Sequence, residues 1–184
     1  MKIEIIDNVL PQEQADWVEG IFTEKDPSGN SMGWQYLNGS SGKETERKFP
    51  SFVKPIYSIP MNYGDTMLMN QLACPIQTIC KKGKQKAINL YRIRAGMHIP
   101  DSTWDSHHGP HVDDSDLHHV ILYYVNDSDG DTFFFKNGIE NKVYKTVTPK
   151  KNRIVVFDGK ILHASSYPIT SPIRMTLNFN FRYG

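Results

Sequence analysis

The sequence predicts an α+β protein that is mainly β, with helices confined to its first half. Apolar residues recur at helical spacing before residue 87, whereas later apolar runs are short and strand-like. A helical front followed by six or more strands is typical of an antiparallel sandwich or barrel core. We therefore expect one domain over residues 1–184, with 1–86 as strand and helix support and 87–184 as the β core.

The N-terminus is expected to form a strand followed by a helix. KIEIID, residues 2–7, has a strand pattern. It leads into NVLPQEQADWVEGIF, where Pro11 suits a first helical turn and apolar residues recur at helical spacing. This pattern predicts one amphipathic helix.

Loops and a second helix are expected before residue 87. Residues 26–49 are rich in Gly, Ser and charge, and they favour loops around a short strand at Trp34 and Tyr36. DTMLMNQLACPIQTICKK, residues 65–82, predicts a helix that ends near residue 81 and is bent at Pro75.

Six strands are expected in the second half of the chain. Turn-forming stretches such as NDSDGD, KNG and PKKN separate the later ones. The six candidate sequences are AINLYRI, HHVILYYVN, DTFFFK, KVYKTVT, NRIVVFD and RMTLNFNFR.

Polar and apolar residues alternate strictly along the last of these strands. The apolar face consists of Met175, Leu177, Phe179 and Phe181. The polar face consists of Arg174, Thr176, Asn178, Asn180 and Arg182. Such a polar face either contacts water or lines an internal cavity. The second interpretation needs other polar chemistry pointing the same way.

Composition and charge exclude several classes of function. The chain is 39% hydrophobic and carries a formal charge of +1, which gives no electrostatic case for nucleic acid or an acidic membrane surface. No apolar run approaches the ~20 residues of a membrane span, and the N-terminus lacks a signal-peptide pattern, so we expect a cytoplasmic protein. Cys74 and Cys80 match neither a zinc pair nor a redox pair.

Five of the seven histidines lie in HHGPHVDDSDLHH, residues 107–119. His107 and His111 have the spacing of the helical HExxH motif, but Gly109 and Pro110 lie between them and the Glu is absent. What remains is the HxD motif of His111 and Asp113, whose side chains share one face of an extended segment. Two side chains on one face can chelate one ion.

The third ligand is expected from a distant part of the chain. His163 is the one histidine beyond residue 119, and it follows the strand RIVVF. Two histidines and one carboxylate without thiolate form the facial arrangement of non-heme Fe(II) sites, whereas structural zinc sites are closed and usually use cysteine. Arg174, at the head of the polar face, suits bidentate binding of a carboxylate ligand.

These segments resemble the Fe(II)/2-oxoglutarate-dependent oxygenases, on the prolyl-hydroxylase-like branch. The matching segments, in the family's order, are NLYRIRAG, HVD, ILYYVN, GDTFFF, NRIVVFDGKILHAS and RMTLNF. The resemblance implies a double-stranded β-helix (jelly-roll or cupin-like) core over residues 87–184, with the N-terminal helices packed on one sheet. It also implies Fe(II), 2-oxoglutarate and O2 as requirements, and it allows ascorbate.

The resemblance also implies roles for individual residues. The implied iron ligands are His111, Asp113 and His163. The residues implied to lie at the cosubstrate are Arg174, Tyr124, Tyr91 and Thr176, of which Arg174 would pair with the distal carboxylate. For Tyr91 and Tyr124, packing within the sheet is the alternative.

Other histidines and one long segment leave alternatives open. One of His118 and His119, which open a strand, must point inward. Residues 97–110 separate the first core strand from the HxD motif by more than the usual prolyl-hydroxylase spacing. They are either a surface loop or a rim that contacts the primary substrate through Trp104, His107 and His108.

The favoured function is hydroxylation of a C–H bond, with release of succinate and CO2. A peptidyl prolyl or other side chain is the favoured substrate, and a small molecule is the alternative. Two other functions remain open, namely a cupin-like metal-binding or sensing module without turnover and a zinc-dependent hydrolase. The sequence does not indicate an oligomeric state.

Overall fold

A computed structural model describes most of the chain. The described residues are 2–25, 32–38, 50–59, 63–101, 103, 106–136 and 142–183. The helices are α1 (Gln12–Thr23), α2 (Thr66–Gln71) and α3 (Ala73–Lys82), followed by a short 3₁₀ turn (Ala87–Asn89). The strands are β1 (Ile3–Ile6), β2 (Gln35–Asn38), β3 (Pro50–Ser58), β4 (Tyr63–Gly64), β5 (Leu90–His98), β6 (His118–Tyr124), β7 (Thr132–Phe135), β8 (Val143–Val147), β9 (Arg153–Asp158), β10 (His163–Ser165) and β11 (Arg174–Arg182).

The strands form two antiparallel sheets. The large sheet has the order β1-β9-β6-β11-β5-β3-β2, with β4 paired to β3, and the small sheet has the order β10-β7-β8. This arrangement confirms the mainly β class with antiparallel pairing. Strands from the first 86 residues complete the large sheet, because β1 pairs with β9 and β3 pairs with β5.

The second predicted helix is two helices, and its break was misplaced. The break falls at Leu72, where α2 ends and α3 begins. Pro75 lies in the first turn of α3, where a missing N–H costs no intrahelical hydrogen bond. Asp65 begins α2 as its N-cap, since its carboxylate accepts a hydrogen bond of 3.0 Å from the Leu68 backbone N–H.

Strand β3 was not expected from the sequence. It contains two prolines, Pro50 and Pro55, which argue against a strand between two partners. The structure accommodates them because Pro50 opens the strand and the pairing with β5 shifts register between Pro55 and Tyr57. This strand matters for function because Ser51, Phe52 and Val53 line the cavity described below.

The two faces of β11 are both largely buried, against different partners. The apolar face packs into the main core, together with buried helix residues such as Val18, Phe22 and Ile79. On the polar face, Arg174, Thr176 and Asn180 are buried too, although their side chains are polar. The polar face therefore lines an interior site, which decides between the two interpretations left open by the sequence.

A second apolar cluster joins the two sheets. It contains Tyr124 of β6, Phe134 of β7, Val147 of β8 and Phe157 of β9. Cys74 is exposed, Cys80 is buried and both are free thiols. No helix in the described part of the chain is both long and apolar enough to span a bilayer.

Candidate metal centre and the adjoining cavity

Backbone pairing joins the first and the last residue of the predicted ligand set, His111 and His163. The His111 N–H donates to the His163 carbonyl at 2.9 Å, and the His163 N–H donates back to the His111 carbonyl at 3.0 Å. Asp113 follows two residues later on the same face. One ligand atom from each of the three side chains lies within 4.8 Å of the others. The structure thus brings together His111, Asp113 and His163, which are up to 52 residues apart in the chain.

Backbone carbonyls orient both imidazole rings. Nδ1 of His111 lies 3.2 Å from the Gly109 carbonyl oxygen, and Nδ1 of His163 lies 3.0 Å from that of Ile161. A carbonyl only accepts, so each Nδ1 carries the proton and each Nε2 keeps its lone pair. Burial, with a smaller contribution from the neighbouring His163, lowers the pKa of His111 to about 4. His111 is therefore a neutral ligand at neutral pH.

Two amides from β11 orient the carboxylate. Asn178 Nδ2 and Asn180 Nδ2 donate to Asp113 Oδ2 at 2.9 and 3.0 Å. The other oxygen, Oδ1, lies 3.9 Å from His163 Nε2. Burial opposes ionisation, but His163 and the two amides together hold the pKa of Asp113 well below its usual range. The sequence identified this polar face without indicating that its amides support Asp113.

The donor set fits a divalent transition metal. Two imidazole nitrogens and one carboxylate oxygen suit a facial site with open positions, and no thiolate is present to close a structural zinc site. Arg92 braces this end of the site: its Nε donates to Asn180 Oδ1 at 2.9 Å and its Nη2 to the Asp113 carbonyl at 3.1 Å. The arrangement around Asp113 is therefore held from two strands.

A cavity extends from the three ligands along the large sheet towards Arg174. Besides the ligands and the β3 residues, its lining includes Arg94, Gly96, His98, Thr132, Arg174 and Thr176. Thr176 thus lies where the sequence placed it, facing the interior. The metal centre and Arg174 share one continuous space.

Arg174 is a buried cation, and no carboxylate in the described part of the chain lies within ion-pair distance of it. Its exposed fraction is 4%. Its Nε donates to the Gly130 carbonyl at 2.6 Å and its Nη2 to Thr132 Oγ1 at 2.8 Å, so both of its recorded partners are neutral. Burial lowers the pKa of this guanidinium, and the nearby Tyr124 and Asp131 partly offset that effect. A buried charge without a counterion is costly, so this position favours an anionic ligand.

Gly130 permits this position of Arg174. A Cβ on Gly130 would lie 2.8 Å from the Arg174 Cδ and 2.9 Å from both the Pro168 nitrogen and the Ser166 carbonyl oxygen. Two of these atoms are backbone and cannot move aside cheaply. No local sequence pattern indicates this requirement, because it arises from contacts between distant loops.

The two tyrosines occupy different places. The Tyr124 hydroxyl donates to Thr132 Oγ1 at 2.8 Å, and its ring lies 5.9 Å from the Arg174 Cζ. The Tyr91 hydroxyl instead donates to Asp114 Oδ2 at 2.9 Å, and Tyr91 is not among the residues that line the cavity. Tyr124 therefore supports the Arg174 end, whereas Tyr91 supports the loop after Asp113.

The spare histidines pack against aromatic side chains. His108 is buried, with its ring 4.4 Å from that of Tyr167 and 4.8 Å from that of His98. His107 packs on Phe135 with ring centroids 4.8 Å apart. Neither His107 nor His108 lines the cavity, and Trp104 lies outside the described residues. His107 and His108 are thus packed, whereas Ile99, Pro100 and Ser106 in the same segment are exposed.

His118 and His119 differ in burial, as expected for successive residues whose side chains point to opposite faces of β6. His118 is fully buried, and its Nδ1 lies 2.7 Å from the Asp116 carbonyl oxygen. His119 is only partly buried and packs on the Tyr183 ring at 4.2 Å. Neither residue joins the three-residue cluster.

Neither a family model nor a curated protein matches this sequence. Solved structures do match it. An oxidoreductase of the 2OG-Fe(II) oxygenase family from Burkholderia pseudomallei has a TM-score of 0.66 at 10% identity, over 98% of this chain and 84% of that one. HygX from Streptomyces hygroscopicus, with nickel and 2-oxoglutarate bound, has a TM-score of 0.61 at 11% identity, over 98% and 82%.

A prolyl hydroxylase supplies the third comparison. The enzyme from Trichoplax adhaerens, in complex with a peptide fragment of hypoxia inducible factor, has a TM-score of 0.58 at 15% identity, over 97% of this chain and 83% of that one. The chain therefore has the fold of the 2-oxoglutarate- and Fe(II)-dependent oxygenases, with prolyl hydroxylases among its structural neighbours. Identities this low define the fold and leave the reaction to be argued from the site.

Proposed function

We propose that this protein is an Fe(II)- and 2-oxoglutarate-dependent oxygenase that hydroxylates a C–H bond of a primary substrate. In this reaction one oxygen atom of O2 enters the substrate as a hydroxyl group. The other enters succinate, which forms as 2-oxoglutarate loses CO2. We further propose that the two sheets form the double-stranded β-helix of these enzymes.

One observation carries this proposal. A buried arginine without a carboxylate partner among the described residues shares a cavity with a two-histidine, one-carboxylate cluster. 2-Oxoglutarate offers a keto acid that can chelate a metal at one end and a free carboxylate at the other. Its two ends thus match the two ends of the cavity.

In this proposal His111, Asp113 and His163 hold the metal, and Arg174 binds the distal carboxylate. Bound iron and 2-oxoglutarate would supply the oxidation chemistry, which no side chain here can supply alone. Tyr124 and Thr132 fix the Arg174 guanidinium through their hydrogen bonds, and Thr176 lines the path between the two ends. The surrounding apolar side chains exclude water from the reacting groups.

The primary substrate is proposed to be a peptide side chain, with prolyl favoured, or a small molecule. The peptide complex of the Trichoplax enzyme supports the first class, and HygX supports the second because it has also been solved with hygromycin B bound. Ascorbate would serve as an auxiliary reductant.

Anaerobic addition of Fe(II) and 2-oxoglutarate tests the proposal. We expect a visible charge-transfer band that needs both additions, because the band requires the keto acid to chelate iron. With Arg174→Leu the band should require far more 2-oxoglutarate while iron binding is unchanged. A metal-sensing module would bind iron without the band, and a zinc hydrolase would act aerobically with zinc and ignore 2-oxoglutarate, so either result would contradict the proposal.

A further inference from the structure

A second arginine lines the same cavity, and the described residues offer its guanidinium no hydrogen bond or ion pair. Arg94 lies on β5, half-buried, on the face that also carries Gly96 and His98. No hydrogen bond or ion pair of its guanidinium is recorded within the described residues, in contrast to Arg92, which is bonded to Asn180 and Asp113. Its five N–H donors thus have no acceptor in the part of the chain that the structure describes.

Arg94 stands at the metal end of the cavity. In the pairing of β11 with β5, Arg94 is opposite Asn178, which holds Asp113, whereas His98 is opposite Arg174. On β5, Arg94 lies four residues before His98, which corresponds to roughly 13 Å along the sheet at about 3.3 Å per residue. Arg94 is therefore not a second donor to the carboxylate that Arg174 binds.

The charges around the cavity leave Arg94 uncompensated. Its charged lining residues are Arg94, Arg174 and Asp113. A divalent metal and a dianionic cosubstrate cancel each other, and the remaining guanidinium and carboxylate cancel as well. One positive charge is left over. We assign it to Arg94, because Asp113, the carboxylate whose charge reaches Arg94, would be occupied by the metal.

An unsatisfied hydrogen-bond acceptor, the side-chain oxygen of Asn178, lies on the strand paired with that of Arg94. Asn178 uses its Nδ2 for Asp113, and its Oδ1 is buried without a hydrogen-bond partner in the described part of the chain. An anion can satisfy Arg94, but only a donor can satisfy this oxygen. A group that carries a carboxylate next to an N–H, as amino acids and acidic peptide units do, would satisfy both once the Asn178 side chain, which lines the cavity, turns its buried oxygen towards the ligand.

We propose that Arg94 binds a carboxylate of the primary substrate beside the metal, so that the substrate belongs to the class of carboxylate-bearing amino acids or peptides. Bidentate pairing with the planar guanidinium would fix the substrate relative to the metal. This inference rests on the proposed oxygenase function. It makes Arg94 a determinant of substrate choice, separate from the cosubstrate site.

The test uses protein loaded with Co(II), whose visible spectrum reports changes near the metal, and with 2-oxoglutarate. The probes are N-acetylglycine and N-acetyl-L-aspartate, each compared with its neutral amide. We expect at least one acid to perturb the spectrum saturably and its amide not to do so. Arg94→Met should weaken that binding at least tenfold, Arg94→Lys should weaken it less, and Arg182→Met, the same change outside the cavity, should leave it intact.

Three results would overturn the inference. The first is that neither acid perturbs the spectrum of the native protein. The second is that the acid binds Arg94→Met as tightly as the native protein, as simple coordination to the metal would produce. The third is that Arg94→Met raises the dissociation constant of 2-oxoglutarate tenfold, which would assign Arg94 to the cosubstrate. If the native protein does not bind Co(II) or 2-oxoglutarate, the proposed function itself is contradicted. A failure of the proposed function is therefore distinguishable from a failure of the inference about Arg94.

Discussion

Two pairs of histidines lie in or next to the lining of this cavity, and the two pairs differ in the charged groups near them. The rings of His111 and His163 are 4.7 Å apart, and those of His98 and His108 are 4.8 Å apart. Burial is the main cause that lowers the pKa of three of these residues, namely His98, His108 and His111. The first pair faces Asp113, whereas the second packs on Tyr167 and lies near the positive charge of Arg174.

This difference shows that proximity and burial do not by themselves make a metal site. A divalent cation at the second pair would meet the repulsion of the buried Arg174 guanidinium, whose charge also lowers the pKa of His98 and His108. At the first pair, an ionised Asp113 supplies charge and two carbonyls fix the rings. The first pair therefore suits a metal, and the second suits the neighbourhood of an anion.

The largest expected effect is the loss of metal from the first pair alone. His111→Ala and Asp113→Asn should each abolish stoichiometric Fe(II) binding, because a bidentate remnant holds iron weakly. His108→Ala should keep it. Calorimetric titration of Fe(II) under anaerobic conditions measures this, with circular dichroism to confirm folding. Near-normal iron stoichiometry in both ligand variants would refute the assignment.

The next effect belongs to the other end of the cavity. Arg174→Leu should raise the dissociation constant for 2-oxoglutarate by about 30- to 1000-fold, or about 2–4 kcal/mol, because a desolvated carboxylate loses its charged partner. Iron stoichiometry should not change. Titration of the charge-transfer band measures the cosubstrate constant, and an unchanged value would place Arg174 outside the binding site.

A smaller effect is expected from the amides behind Asp113. Asn180→Ala removes one of the two hydrogen bonds that orient this carboxylate. We expect a loss of metal affinity of about 10- to 100-fold, the range typical of residues that support a ligand. Competition with a metal chelator measures it, and His98→Ala is the matched change at the second pair. Equal losses in the two variants would show that the effect is general destabilisation.

The smallest effect is a pH dependence of the metal-free protein. His98, His108 and His111 have pKa values below that of an ordinary histidine, with those of His108 and His111 at about 3 and about 4. The unfolded chain therefore binds more protons below pH ~6.5, and the free energy of unfolding should fall from pH 7 to 5, by up to about 2 kcal/mol per histidine.

Removal of one histidine should flatten this dependence. His108→Gln is expected to lower the slope of unfolding free energy against pH, measured by denaturant titration. At pH 8 these histidines are neutral in both the folded and the unfolded state. The difference in unfolding free energy between variant and native protein at that pH therefore reports only the change in packing. A slope that is equal in the variant and the native protein would contradict the contribution of His108.

Much of the candidate site could be predicted from patterns that are local in the sequence. An HxD motif places two side chains on one face whatever the fold, and strict alternation along β11 separates the polar face from the apolar one. His163 could be proposed as the third ligand because few histidines remained to choose from. The structure brings these residues together as expected, although their roles remain proposals.

Other parts of the site arise from contacts between distant segments, and no local sequence pattern predicts them. The support of Asp113 by Asn178 and Asn180 depends on how the loop after His111 meets β11, and the space at Gly130 depends on the loop that contains Ser166 and Pro168. The same holds for β3, whose prolines concealed a strand that a register shift accommodates.

The sequence by itself determined the antiparallel β class, the candidate ligand set and the two faces of the last strand, because side-chain periodicity is a property of the backbone conformation alone. Only the tertiary structure decided which histidines meet a carboxylate and which meet an arginine. It also left the Arg94 guanidinium in the cavity lining without a hydrogen bond or ion pair among the described residues. The partners and the burial of a titratable side chain together set its charge. They depend on strand register and loop packing across the whole chain.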